Sequence, residues 1–122
     1  MERKAFGEPI ANFQLIQAML ADSKAELYAA ECMQRDACAR ADAAEATGER
    51  VTLEASAFKM FATEMCGRVA DRVVQIHGGA GYLAEYEAER FLRDVRIYRI
   101  YEGTTQIQQL VIAKQMIKAF SA

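Results

Sequence analysis

The chain contains a single proline, at position 9. Proline is the residue that most strongly interrupts a helix, so everything after position 9 is free to be helical until glycine intervenes. Ala, Glu, Gln, Met and Arg abound beyond it, which is the vocabulary of helices. Pro9 suits a first helical turn, and a helix is predicted from there to about Ala44. Phe13, Ile16, Leu20, Ser23, Leu27 and Ala30 share one of its faces. At 1.5 Å per residue such a helix is about 50 Å long and needs neighbours of similar length. "ATGER" (46–50) supplies a turn at Gly48. A second helix is predicted from near Glu49 to about Ile76, with Phe58, Phe61, Met65, Val69, Val73 and Ile76 as its apolar face. "HGGAGY" (77–82) then breaks it, since three glycines in four positions are no helix interior. A short helix from roughly Glu85 to Leu92 and a connector over 93–101 lead to a last helix from about Thr104 to Phe120. Ile107, Leu110, Ala113, Ile117 and Phe120 mark its expected buried side. "RVVQI" and "VRIYRIY" have no evident partner strand, so the expected fold is all-α, an antiparallel four-helix bundle.

The 122 residues form one domain, long enough for a sizeable core. A hydrophobic share of 52% with 26% charged residues is that of a globular chain rather than a disordered one. The net charge is −2 and no block of like charges occurs, so no nucleic-acid partner is expected. No run of about 18 apolar residues exists, so no membrane span is expected either. "MERKAFGEPI" lacks the apolar core of a signal peptide, which points to an intracellular protein, of bacterial cytoplasm or mitochondrial matrix. Cys32, Cys38 and Cys66 form no CxxC pair, and with one histidine they offer no metal site. They read as buried free thiols of a reducing compartment.

Three features invite chemistry. The glycine cluster follows a helix rather than a strand, so it is not a dinucleotide-binding fingerprint. It is either a helix-to-helix corner or a place where exposed backbone N–H groups approach a phosphate or ribose. His77, at the head of that same cluster, reads as a turn or interface histidine. Arg90, Arg93, Arg96 and Arg99 recur every three residues with Asp94 among them, the pattern of a salt-bridged surface or a subunit contact. The third feature is Glu102, alone between the apolar run Tyr98, Ile100, Tyr101 and Gly103. It is either an acid near the positive end of the next helix, with Thr104 or Thr105 as the cap, or a general base desolvated among apolar side chains.

"ERKAFGEPIANFQ" (2–14), "QIHGGAGY" (75–82), "RFLRDVRIYRIYEGTTQIQ" (90–108) and the closing helix occur in this order. Together they resemble the C-terminal helical domain of acyl-CoA dehydrogenases, flavin enzymes that desaturate acyl-CoA thioesters. "IYEGTTQIQ" is the most diagnostic segment, and the resemblance covers essentially the whole of residues 1–122. It implies that Glu102 removes the α-proton of the thioester while the β-hydrogen leaves as hydride to the flavin, giving a trans-2-enoyl-CoA. Tyr101 would line the acyl pocket and Gly103 would border the substrate.

The cofactor implied is FAD, held across a subunit interface. Arg3 would face its pyrophosphate, with Phe6 and Gln14 nearby. Gln75, Ile76, His77, Gly78 and Gly79 would hold the ADP portion of an FAD belonging mainly to the neighbouring subunit. Thr104 and Gln106 would contact the FAD on the Glu102 side. Ala5 departs from the pattern, because many relatives carry a hydroxyl or amide there that reaches the phosphate. The resemblance further implies a homodimer or homotetramer, an electron-transfer flavoprotein as electron acceptor, and missing N-terminal helical and middle β domains without which the chain is inactive. The rival expectation is a helical oligomerisation module with no chemistry of its own. A relative turned to another flavin reaction, such as oxidation by O₂, is disfavoured by the presence of Glu102.

Overall fold

The computed structural model describes residues 3–121. Glu2, the first residue of the N-terminal motif, lies outside them. Four α-helices make up most of the described chain: α1 (Gln14–Thr47), α2 (Thr52–His77), α3 (Ala88–Asp94) and α4 (Thr105–Phe120). Short 3-10 turns join α2 to α3 (Gly78–Tyr82, Ala84–Tyr86) and continue α3 towards α4 (Val95–Arg99).

The first helix starts later than its proline suggests. Lys4–Ala5 (β1) and Glu8–Pro9 (β2) pair antiparallel, with Lys4 opposite Pro9. Phe6 and Gly7 turn the hairpin with φ of 52° and 85°, the pair of left-handed residues that a tight hairpin turn requires. Proline also pushes the residue before it, Glu8, into extended backbone. The Ile10 N–H donates to the Arg3 carbonyl at 3.0 Å, and a 3-10 turn (Ile10–Asn12) leads to α1. The expected strandless N-terminus is thus replaced by a two-rung hairpin, and Pro9 sits in it rather than in a helical turn.

α1 ends as expected, with the Gly48 N–H donating to the Ala44 carbonyl at 2.8 Å. Pairings between residue 26 and residues 68 and 72, and between 40 and 54, show that α1 and α2 run antiparallel. The seam on α1 is Ile16, Met19, Ser23, Glu26, Ala30, Ala37 and Ala44. The three alanines are buried and let the helices approach closely. Leu20 and Leu27, expected on that face, turn partly outward at 37% and 42% exposure. The reason is electrostatic: Glu26 takes the inner position, where the Arg68 and Arg72 guanidiniums meet it at 2.9 and 3.0 Å. These bonds hold the Glu26 carboxyl below the usual carboxylate range, Arg72 contributing most.

α2 lies between α1 and α4 and also carries α3 and the turns around it. Ser56, Met65, Gly67 and Ala70 are buried in it, and the expected Phe58, Phe61, Val69, Val73 and Ile76 are half-buried. α4 rotates the other way from expectation. Thr105 is buried and Gln108, Val111, Ile112 and Gln115 are half-buried, while Ile107, Leu110, Ala113, Ile117 and Phe120 face outward, Phe120 at 88% exposure. Thr105 fixes this rotation by donating its hydroxyl to Glu64 of α2 at 2.8 Å. The most apolar stripe of α4 is therefore unpartnered within the described residues.

Candidate functional site

The Glu102 corner is built from the backbone outward. The amides of Ile100 and Tyr101 both donate to the Ile97 carbonyl, ending the 3-10 turn. Glu102 and Gly103 then adopt left-handed backbone, with φ of 54° and 87°. For Gly103 this is easy, and a side chain there would also collide with the Gln108 amide, 2.6 Å from where a Cβ would lie. For Glu102 it is unfavourable and has to be held by its surroundings. Gln108 Nε2 donates to the Glu102 carbonyl at 3.2 Å. Lys59 Nζ donates to the carbonyls of Tyr98 and Gly103 at 2.9 and 2.6 Å. Thr104 caps α4, its hydroxyl accepting from the Ile107 N–H.

Beneath the corner, Glu64 accepts from Thr105 and pairs with Arg99 Nε at 3.4 Å. Arg99 crosses α2 over Gly67, where any side chain would overlap its guanidinium. The expected arginine-rich surface is real at two of its positions, Arg90 with Glu87 at 3.1 Å and Arg99 with Glu64.

The apolar pocket expected around Glu102 is not closed by this chain. Glu102 and Gln106 are exposed, and Tyr98, Ile100 and Tyr101 stand about half-exposed beside Glu102, the two tyrosine rings stacked at 5.9 Å. The corner is rigid, apolar on one flank and open. Among the described residues no acceptor engages the Glu102 N–H.

At the far end of α2 a second set of expected residues converges. Arg3, Phe6, Gln14, Gln75, Ile76 and Gly78 line one surface groove of about 780 Å³, and Ala5 lies on it too. The Arg3 guanidinium packs on Gly78, 3.0 Å from where a Cβ would stand. This corner is the C-terminal end of α2, which carries the negative pole of the helix. The free carbonyls of that end disfavour an anion, so a phosphate here would need the charge of Arg3. A guanidinium flanked by a side-chain amide and apolar walls suits a pyrophosphate joined to a flat ring system. Phe6 projects at 98% exposure and meets Phe13 edge-on. His77 turns to the adjoining groove of about 670 Å³, and its Nδ1–H donates to the Val73 carbonyl at 2.8 Å. Gly79 is exposed with open space around it and stands outside both grooves. Lys59 and His77 mark the two sites on α2, and at 1.5 Å per residue they are about 27 Å apart. Thr104 and Gln106 thus lie beside the Glu102 corner, while Arg3, Phe6, Gln14, Gln75, Ile76 and Gly78 share the groove at the other end of α2.

Sequence reasoning missed Lys59, Glu64 and Gln108. Lys59 did leave a trace, as the only charge between Glu54 and Glu64 on an otherwise apolar stretch. Among the described residues there is no cluster of three or more metal-ligating side chains, and no helix is long and apolar enough to cross a membrane.

Residues 1–117 match the family model described as acyl-CoA dehydrogenase, C-terminal domain. The chain belongs to the acyl-CoA dehydrogenase family. As an acyl-CoA dehydrogenase C-terminal domain it is 44% identical over 117 residues to the caffeyl-CoA reductase-Etf complex subunit CarC of Acetobacterium woodii, covering 96% of this chain and 30% of that protein. It superposes on butyryl-CoA dehydrogenase from Megasphaera elsdenii with a TM-score of 0.86 at 35% identity, over 95% of this chain and 29% of that one. The FAD complex of PigA gives 0.86 at 27% identity, over 94% and 29%. The chain spans about 30% of the length of the curated relatives it matches.

Proposed function

We propose that this chain is the C-terminal domain of an FAD-dependent acyl-CoA dehydrogenase and that Glu102 is its catalytic base. The observation that carries the reading is the Glu102 corner, a carboxylate on a backbone bonded from both α2 and α4, beside a flank of half-exposed apolar side chains. An acyl chain and the rest of the enzyme laid on that flank would desolvate the carboxylate and make it a stronger base. Tyr101 then lines the acyl pocket and Gly103 borders the substrate. The unengaged Glu102 N–H donates to the thioester carbonyl, which acidifies the α-position. Glu102 takes the α-proton, the electrons of that C–H bond become the new double bond, and the carboxyl holds the proton. FAD, when bound, supplies the acceptor for the β-hydrogen, which leaves with its electron pair.

Arg3, with Phe6, Gln14, Gln75, Ile76, His77, Gly78 and Gly79 around it, holds the pyrophosphate and ADP portion of an FAD that belongs mainly to a neighbouring subunit. Thr104 and Gln106 serve the FAD beside Glu102. The separation of about 27 Å along α2 supports two different cofactor molecules. The outward stripe of α4 supports assembly into a homodimer or homotetramer. An electron-transfer flavoprotein is the proposed acceptor, in line with the Etf complex to which the similar CarC belongs. The proposed compartment is the bacterial cytoplasm or the mitochondrial matrix.

Glu102→Gln in the full-length enzyme tests the reading. FAD should remain bound while bleaching of the flavin absorbance by butyryl-CoA is lost. Bleaching at the wild-type rate would refute the base and favour a purely structural, oligomerising domain. The 122-residue chain alone, lacking a closed pocket, should not oxidise acyl-CoA with added FAD and an electron acceptor.

A further inference from the structure

We propose that Lys59 is the positioning residue of the Glu102 corner, which rests on the reading of Glu102 as the base. The corner needs such a residue. Glu102 holds a left-handed backbone that non-glycine residues leave when nothing restrains them. Its side chain is exposed, so no packing fixes it. The restraint comes from bonds to carbonyls on both sides of it. Lys59 Nζ reaches the Tyr98 carbonyl before the corner and the Gly103 carbonyl just after Glu102. One ammonium thus ties together the two strands of chain that enter and leave the turn.

Both bonds are charge-assisted, the stronger kind, and the shorter is the one to Gly103. Gln108 adds a neutral bond to the Glu102 carbonyl from α4, and the Glu64 pairings with Arg99 and Thr105 secure the outer flanks. Glu64 also ties both sides to α2, through the side chains of Arg99 and Thr105, but among the described residues Lys59 alone bonds α2 to backbone carbonyls on either side of Glu102. Lys59 makes no bond to the Glu102 side chain and meets the apolar flank only at the Tyr98 backbone carbonyl, so it acts through the backbone. Without it the Tyr98 and Gly103 carbonyls turn to water, the backbone at Glu102 relaxes, and the carboxylate shifts. A shift on the order of 1 Å in a catalytic group reduces turnover about 100-fold.

The test compares Lys59→Met, Lys59→Arg and Glu102→Gln in the FAD-loaded full-length enzyme. Anaerobic bleaching by butyryl-CoA is followed by stopped flow, and hydrogen exchange by mass spectrometry. Lys59→Met should keep its FAD and melt close to wild type, yet bleach about 10- to 100-fold more slowly at saturating butyryl-CoA, with half-saturation little changed. Faster exchange should be confined to residues 98–104. Lys59→Arg, which keeps a charged donor, should recover most of the rate. If Lys59→Met gives no loaded enzyme, Lys59→Gln, with one neutral amide donor, must show the same local loosening and slowing. Wild-type bleaching by the lysine variants overturns the proposal, as does a loss that merely tracks lost FAD or exchange quickening throughout α2. An inert Glu102→Gln beside a normal Lys59→Met rejects only the positioning role. A normal Glu102→Gln rejects the base, and the exchange at 98–104 then still decides whether Lys59 holds the corner.

Discussion

The three glycines of the α2 corner stand within four residues of one another, yet replacing each by alanine should have a different effect. At Gly79 an added methyl meets nothing within 4 Å and the backbone is not left-handed. Gly79→Ala should therefore be neutral or stabilising by up to about 1 kcal/mol, because alanine leaves the unfolded chain less freedom to lose. At Gly81 the methyl would lie 2.6 Å from the Val74 carbonyl and 2.7 Å from His77 Cβ. Both belong to the last turns of α2, where a carbonyl cannot swing aside without breaking the helix. Overpacking of this kind costs about 1–3 kcal/mol. At Gly78 the backbone has φ of 56°, and the methyl also presses on the Arg3 guanidinium at 3.0 Å. With ψ of −141° this positive-φ backbone is one that side chains rarely adopt, at a cost on the order of 1–3 kcal/mol, and Arg3 moves out of its groove. Urea unfolding followed by circular dichroism gives the three stabilities at one fixed protein concentration, and flavin content of the full-length enzyme gives the consequence for Arg3. The expected result is a neutral Gly79→Ala, a destabilised Gly81→Ala that retains flavin in its folded fraction, and a Gly78→Ala that is destabilised and loses flavin affinity. Equal destabilisation at Gly79 and Gly81 would refute the packing argument, and full flavin affinity in Gly78→Ala would refute the placement of Arg3.

Two further outcomes rest on the charges and thiols. Glu26 has its carboxyl lowered by Arg72 and Arg68, so its contribution is fully present above the ordinary carboxylate range and is lost as pH falls through the lowered value. Glu26→Gln should be less stable than wild type at pH 7 by about 1 kcal/mol, and the gap should shrink once pH drops below about 4 in thermal melts taken across pH. Against the expectation of burial, Cys32 and Cys38 stand exposed on the outer side of α1, whereas Cys66 is half-buried with its thiol pushed up by burial. A thiol reagent at pH 8 should label two cysteines quickly and Cys66 at least several-fold more slowly, with Cys66→Ser removing the slow phase.

Helix existence was legible because glycine and proline punctuate this chain so sparsely. Helix rotation was less so. On α1 the leucines at 20 and 27 announce an apolar face, but the partner helix brings Arg68 and Arg72, and Glu26 turns inward to meet them. On α4 the strongest apolar stripe, from Ile107 to Phe120, was read as the face against the bundle, while a threonine hydroxyl and half-buried glutamines occupy that position. Hydrophobic periodicity tells which side of a helix is to be covered, not by which neighbour. Of the corner at Glu102, Gly103 betrayed the turn, but the left-handed backbone at Glu102 and the bond from Lys59 join residues some forty positions apart and leave no local pattern. The groove at Arg3 was reached only through the resemblance, since nothing in the spacing of Arg3 and Gln75 joins them.

The outward stripe of α4 has a consequence for how this domain persists in the cell. Apolar surface on the order of several hundred Å² left in water favours any partner that removes it, at roughly 25 cal/mol for each Å² covered. Assembled subunits would hide that surface, and their durability would then rise with the number of copies present, as mass action requires. Scarcity would leave the helix bare and open to proteases and to clumping. Where the cover is a second copy, dosage and folding become a single variable.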